Sequence, residues 1–325
     1  MDWAPPPGTY GTTDPLFLLL IALAVEAYLG ERGFVMRWLP QPRRIMSRLV
    51  SDLDRRLNRP SRGPRVLLLR GCIVVLALVV AAGAAGWLLA LLTRHYPFAW
   101  VFEALLLVLL VAQRSTGVRL AAVTAALANG SLVQARDAVQ RLAGSRFGPT
   151  ALERLDRSRV VRAALASLAE RFADGLIGPV VWYALFGLPG LLIHQMLSVG
   201  STRYRAIPGQ GQGPPSAAPT ESHYGLPFLW SYQALAYLPD RLAGLLLALA
   251  ALFVPRGRPL AALRRLPGSG DWPQAALGAG LGLTDVDRDA TVDPRLLTAA
   301  LGLFAVGCLI NAGLVAGAAL IRLWL

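Results

Sequence analysis

Glu170 and Asp174 lie four residues apart near the end of a helical pattern, so a helix would set both carboxylates on one face. A carboxylate pair of this kind holds a divalent metal or passes a proton. The same spacing also fits two solvated residues at a helix end. The run they open, Glu170 to Arg205, reads ERFADGLIGPVVWYALFGLPGLLIHQMLSVGSTRYR. Its apolar middle is interrupted by Gly178-Pro179 and again by Gly187-Leu188-Pro189-Gly190, and it leaves through a polar stretch with Arg203 and Arg205. No Asp, Glu or Lys falls between Asp174 and Glu221. Three readings are open for this run: a membrane-embedded active site, a relic of one, or a plain broken helix.

The elements that must carry these residues are apolar. The chain has 325 residues, of which 55% are hydrophobic. The mean hydropathy is +0.50. Soluble domains sit lower, near 45–50% apolar, so the composition is that of an all-α, polytopic integral membrane protein. The formal net charge is +13, with no lysine. A basic excess serves nucleic-acid binding or holds loops at an anionic inner membrane face. The arginines lie between apolar spans, which favours the lipid bilayer as partner and argues against nucleic acid. Cys72 and Cys308 sit inside apolar runs and form no metal-ligand spacing or disulfide framework. His95, His194 and His223 are scattered, and no metal site is expected from them. Residues 1–14 have no basic region before the first apolar run, so a retained anchor is expected rather than a cleaved signal.

About five or six apolar spans are expected, drawn from Pro15 to about Gly30, Gly71 to Leu92, Phe98 to Gln113, the interrupted Leu176 to Leu197, a fifth entered through Leu238-Pro-Asp-Arg241 and ending near Val254, and Leu296 to about Trp324. Glu26 and Glu103 fall inside the first and third. A carboxylate at the centre of a lipid-facing helix costs about 2.5–3.5 kcal/mol, so Glu26 should face protein or lie near the headgroups. Residues 31–65 are arginine-rich, and Met46, Leu49, Val50, Leu53 and Leu57 recur at helical spacing, which predicts an amphipathic helix on the inner surface. Residues 114–175 are expected to form a cytoplasmic helical insertion, with Ser131 as an N-cap, a capping box at Thr150–Glu153 and a helix from Asp156 to Phe172. Residues 198–232 are expected to be a polar flexible loop and 255–295 a soluble loop with an acidic cluster at Asp285, Asp287, Asp289 and Asp293, all within one membrane domain spanning 1–325. Arginine counts place the 31–65 and 114–175 segments in the cytoplasm. Simple alternation puts 198–232 outside; a re-entrant 176–197 puts it inside.

The residues also carry a family resemblance. Leu165 to Pro179, LASLAERFADGLIGP, resembles a run that reads roughly ESLAENxxDGxxAP in the CobD/CbiB family, the adenosylcobinamide-phosphate synthases of cobalamin biosynthesis. Trp182 to Gly190 follows in register. Tyr237-Leu-Pro-Asp-Arg-Leu242 resembles that family's NYxPARL, and Asp271-Trp-Pro-Gln-Ala-Ala276 its GWPEAA. Leu39-Pro-Gln-Pro42 stands where the family has LPHPVR, ahead of a basic helix.

The resemblance implies a multi-pass protein of the cytoplasmic membrane that joins aminopropanol phosphate to the propionate carboxylate of a corrinoid, adenosylcobyric acid, using ATP and Mg2+. It implies Glu170 and Asp174 at the metal or the nucleotide phosphates. Gly175, Arg203, Arg205 and Arg241 would then lie on anionic substrates, and other corrinoid-pathway membrane proteins would be neighbours. Several motif positions differ. Ala166 stands for a Glu, Arg171 for an Asn, Gln195 for a Lys, and Ser198 and Ser201 lie near an Asn and an Asp. Tyr232 and Gln233 fall on a pair of Asp, Gln274 on a Glu and Gln41 on a His. Two further function classes fit the same residues: a non-catalytic corrinoid-binding, sensing or scaffold relative, and a transporter with a broken helix at the midplane.

Overall fold

The computed structural model describes residues 14–29, 42–58, 63–96, 100–111, 113–144, 155–204, 223–283 and 293–324. These residues form helices and connecting turns, with no strand among them. We number the helices α1 (Pro15–Leu29), α2 (Pro42–Leu57), α3 (Pro64–His95), α4 (Trp100–Leu110), α5 (Arg114–Ala128), α6 (Leu132–Ala143) and α7 (Arg157–Phe172). A π-helical turn (Ala173–Ile177) leads into α8 (Gly178–Tyr204). Then come α9 (Leu226–Ala250), α10 (Pro259–Arg265), α11 (Trp272–Gly280) and α12 (Arg295–Trp324). Four stretches are long and apolar enough to cross a membrane: Pro64–Thr93, Trp100–Ala128, Arg157–Tyr204 and Arg295–Trp324. The apolar Pro15–Tyr28 is shorter. The expected all-α polytopic membrane architecture is therefore present. α9, with Asp240 and Arg241 near its middle, is not among the four.

The 157–204 stretch is not one straight rod. Gly187 has φ +64° and ψ −150°, outside helical geometry. A Cβ on Gly190 would come within 2.5 Å of the Trp182 carbonyl oxygen, and one on Gly178 within 2.4 Å of the His194 ring. In a straight helix those pairs would be about 12 Å and about 24 Å apart. Both pairs are centred on Phe186, so the chain doubles back there. α8 is a helical hairpin whose arms, Gly178–Phe186 and Leu188–Tyr204, lie antiparallel. Gly187 supplies the positive φ. Pro189 has no N–H to leave unsatisfied where the helix restarts. Gly190 lets the two backbones touch, and Gly178 admits the His194 ring.

The returning arm packs antiparallel on α3. A Cβ on Gly86 would strike Pro189 at 2.6 Å, and one on Gly83 would meet Ile193 at 3.4 Å. Gly86 lies about 33 Å along α3 from Pro64, against a hydrocarbon core of about 30 Å. The hairpin tip therefore reaches through most of the thickness α3 covers, then returns. Its end, Tyr204, stacks edge-on to Tyr224, with ring centroids 6.2 Å apart, just before α9. Tyr204 also donates a hydrogen bond of 2.7 Å to Asp54 of α2. Both ends of the 205–222 connection therefore sit on the α2 side. The backbone path of 178–204 is therefore a hairpin and not a straight crossing.

The other expectations sort as follows. Residues 198–204 belong to α8 and 226–232 to α9, so the polar segment expected over 198–232 is helical at both ends. The expected 255–295 loop instead contains α10 and α11, with Ala262, Leu266, Ala276 and Leu277 buried. Asp271 starts α11 by accepting from the Gln274 amide at 3.2 Å, and Ser131 starts α6 through the Gln134 amide at 3.4 Å. α7 begins as expected, with Asp156 accepting from the Arg159 amide at 2.8 Å. Met46 and Val50 of α2 are buried and Leu53 and Leu57 pack partly against the core, while Leu49 of the expected stripe is exposed, so most of that stripe faces the bundle. Glu26 is 3% exposed, and both its oxygens accept from the Arg114 amide, at 3.0 and 2.9 Å. It faces protein and neutralises the start of α5. Glu103 accepts from the Tyr183 hydroxyl at 2.7 Å. The Thr150–Glu153 box, Asp285, Asp287, Asp289 and the Leu39–Gln41 motif lie outside the described residues.

The hairpin fixes a labelling pattern. In a variant without Cys72 and Cys308, a membrane-impermeant maleimide should label Asp52→Cys and His223→Cys from one face and His95→Cys from the other. Labelling of His223→Cys together with His95→Cys would mean a straight crossing through Gly187.

Candidate functional site

The π-turn sets the site. Gly178 N–H donates to Ala173 O, a five-residue step that widens the helix by one residue just where Asp174 and Gly175 stand. Such single-turn bulges re-aim the side chains they carry. Asp174 leaves the α7 ladder half-buried and accepts a hydrogen bond from the Tyr232 hydroxyl of α9. Glu170, half-buried, remains on the regular last turn of α7. Gly175 is buried inside the turn.

The hairpin register places Asp174 level with Ser198 of the returning arm. Arg43, from the first turn of α2, reaches Ser198 Oγ at 3.5 Å. Burial pulls the Arg43 guanidinium below its usual pKa, and the nearby charge of Asp174 and the Tyr232 phenol oppose that shift. It makes no other hydrogen bond or ion pair with a described residue. His194, one turn before Ser198, is fully buried and lies against the Gly178 backbone, 6.3 Å from the Tyr232 ring centre. Neither of its ring nitrogens has a hydrogen-bond partner among the described residues. Gln195 points elsewhere and donates to Leu110 O at 3.1 Å. The cluster thus joins a carboxylate, a guanidinium, a hydroxyl, a phenol and an imidazole from three helices and the π-turn.

Arg203 and Arg241 are in other places. Arg203 grips Asp54 Oδ2 through Nε at 2.9 Å and Nη2 at 2.7 Å. Tyr204 and Asn58 donate to Asp54 Oδ1 at 2.7 and 3.0 Å. Burial pushes the Asp54 carboxyl up, but these donors and the Arg203 charge outweigh it and hold it below the usual range. Arg203 therefore fastens α2 to the end of α8. The Arg241 guanidinium lies 3.9 Å from the Tyr237 ring centre and 4.6 Å from that of Trp272. Gly244 allows this, since a Cβ there would meet Trp272 Cβ at 2.9 Å. The Arg241 N–H fork has no hydrogen bond or ion pair to another described residue. Arg241 is nine residues past Tyr232, about 13 Å along α9 and half a turn round it, so the two residues face different neighbours. Arg205 lies outside the described residues.

The sequence reading singled out Asp174 but not Arg43, Tyr232, His194 or Ser198 as its neighbours. Arg43 is one arginine within a basic run, and His194 is one of three scattered histidines. The one signal pointing at Tyr232 was its place on an acidic position of the resembled motif.

Fold and site together define a helical membrane protein with a mixed-charge cluster at the foot of a re-entrant hairpin. A family model described as CobD/Cbib protein matches residues 19–201. The Cobalamin biosynthesis protein CobD of Rhizobium meliloti (strain 1021) is 32% identical over 288 residues, covering 84% of this chain and 82% of that protein. Its counterpart in Sinorhizobium sp is 31% identical over 286 residues, covering 82% and 81%. The Rhodobacter capsulatus protein of that name is 30% identical over 282 residues, covering 81% and 79%. No solved structure matches. The chain belongs to the CobD/CbiB family.

Two outcomes follow from the α2 attachment. Asp54→Asn should lower the unfolding free energy by about 1 kcal/mol, the low end for a charge-assisted network because Arg203 is half-exposed, read as a drop in thermal midpoint. Because the folded Asp54 pKa is depressed, its contribution is present above the unfolded carboxylate value and is lost as pH falls through the folded one. Acid scans of wild type and Asp54→Asn should converge only below that range. Curves that stay equally separated at every pH would contradict this role.

Proposed function

We propose that the protein acts in cobalamin biosynthesis at the cytoplasmic membrane as an adenosylcobinamide-phosphate synthase, joining aminopropanol phosphate to the propionate carboxylate of adenosylcobyric acid with ATP. Its relatives bear the name of that pathway. The observation that carries the reading is the π-turn carboxylate. Asp174 of the family-like DG pair is re-aimed out of the α7 ladder and gathered with Arg43, Ser198 and Tyr232.

The reaction condenses a carboxylate with an ammonium. ATP takes up one carboxylate oxygen as inorganic phosphate, leaving ADP, and the nitrogen sheds two protons on becoming an amide. Negative charge gathers on phosphates throughout, so cations and a metal are required. Mg2+ arrives with nucleotide phosphates and asks the protein for one or two carboxylates. Among the described residues no group of three His, Cys, Asp or Glu could hold a metal. Glu170 and Asp174 meet the smaller demand and would hold such an ion, which would neutralise the phosphates. Arg241, stacked on two rings with its donor fork unbonded among the described residues, is suited to a phosphate or a corrinoid carboxylate. Arg203 is committed to Asp54 and acts in this reading by holding α2 in place. Gly175, buried in the turn beside Asp174, and Arg205 stay candidates for anionic substrate.

Membranes carrying the protein should form the amide from adenosylcobyric acid, aminopropanol phosphate and ATP, read by mass spectrometry. The gene should also restore corrinoid-dependent growth to a strain lacking the family enzyme. Asp174→Asn should lower the rate at least a hundredfold at equal membrane abundance. Arg241→Gln should raise KM for an anionic substrate about tenfold or more, with Arg241→Lys in between, because the planar fork and the ring stacking are lost. Absence of both product and growth at normal membrane abundance would sink the proposal.

A further inference from the structure

Fully buried polar side chains are nearly always hydrogen-bonded, and one that is not calls for a partner from outside the protein. His194 is 0% exposed and has two unpartnered ring nitrogens. A neutral imidazole offers one acceptor and one donor, so both capacities stand open. Ser198 follows four residues later on the same helix face. There Arg43 spends one long contact, 3.5 Å, on the Ser198 hydroxyl and holds no other hydrogen bond with a described residue. A guanidinium has five N–H donors. One end of this face therefore presents an underused cation and the other an unfilled imidazole. The charge of Asp174 acts on both groups, and that of Arg43 acts on His194 with the opposite sign.

We infer that Arg43, Ser198 and His194 form a subsite for a small dipolar molecule carrying a phosphate and a primary ammonium. Phosphate oxygens accept from the Arg43 guanidinium and the Ser198 hydroxyl. The ammonium donates to the open ring nitrogen of His194, where the negative field of Asp174 favours it. This rests on the proposed function in one respect: the amine partner of that reaction belongs to this chemical class. A phosphatidylethanolamine headgroup shares the chemistry and is the other source. Gly178 makes the subsite possible, because any side chain there would occupy the space of the His194 ring.

The test is binding, not turnover. The full chain in nanodiscs free of phosphatidylethanolamine would be titrated with 1-aminopropan-2-yl phosphate, with isopropyl phosphate, which lacks the amine, and with 1-amino-2-propanol, which lacks the phosphate. Wild type should bind the dipolar compound at least tenfold more tightly than either analogue. Arg43→Gln should abolish the preference over the amino alcohol and leave the preference over isopropyl phosphate. His194→Leu should do the reverse, and His194→Gln, which keeps an acceptor, should retain part of it. Melting curves of each variant separate lost binding from lost fold.

A parallel arm would measure retention of phosphatidylethanolamine against phosphatidylglycerol in mixed nanodiscs by native mass spectrometry. Retention that depends on Arg43, without binding of the soluble compound, assigns the subsite to the lipid. Equal affinity for all three soluble compounds with no lipid selectivity overturns the subsite, as does discrimination unmoved by folded Arg43→Gln and His194→Gln. Residue-dependent binding without amide formation would leave the subsite standing and remove the synthase reading. Amide formation with discrimination unmoved would do the opposite.

Discussion

The reversal at Gly187 is the constraint on which the remaining geometry rests. A backbone can turn inside a membrane only where the groups it frees are covered by protein. Here the cover is α3, which presents Gly86 to Pro189 and Gly83 to Ile193. Close approach of three backbones replaces side-chain packing, and each glycine in the stack removes an atom that would otherwise sit within 2.4–3.4 Å of a neighbour. The gain is local dispersion and exclusion of lipid from the turn, the usual use of small residues between membrane helices. The consequence is global. Residues 16 apart in sequence, Gly178 and His194, become neighbours, and the polar exit of the returning arm comes back to the side from which α2 enters.

Within that frame the cluster around Asp174 has a consistent charge pattern. Tyr232 stands where the resembled motif has a carboxylate, and its hydroxyl donates to Asp174. A second carboxylate there would repel the first; a phenol supports it. Gln195 stands where the motif has a lysine, and it donates to the Leu110 carbonyl, away from the cluster. The cation beside Asp174 comes from Arg43 of α2. Loss of an acid and of a base at motif positions thus leaves a site that still pairs positive with negative, with the cation supplied from a different helix. The departures from the motif redistribute its charges as well as reducing them.

Much of this architecture was legible in the sequence, and the reasons are specific. Apolar runs longer than a bilayer core, arginine between them, and Gly-Pro and Gly-Leu-Pro-Gly breaks are local signals, and α3, α12 and the kink follow from them. The cap at Ser131 and the start of α7 at Asp156 are equally local. The direction taken after Gly187 was not legible, because one residue at positive φ can bend a helix or reverse it, and the choice is made by the glycines of another helix. The π-turn was also hidden, since one extra residue per turn changes no composition. Arg43 and Arg203 show the limit most clearly: both are arginines near polar segments, yet one reaches the cluster and the other holds a carboxylate.

That last contrast links α2 to the site. α2 is attached twice to the returning arm, through Arg43 to Ser198 and through Asp54 to Arg203 and Tyr204. Its apolar stripe faces the bundle, so Met46 and Val50 fix its rotation while the two polar attachments fix its position along the arm. An amphipathic helix with basic residues on its outer face would by itself be a membrane-surface element, free to slide. Held at two points, it becomes a wall of the cluster, and the guanidinium of Arg43 is oriented by contacts made three turns away. Weakening the distant pair would therefore move the cation at the cluster before it unfolded any span. The hairpin supplies the buried acceptors and the surface helix supplies the charge, and neither makes the site alone.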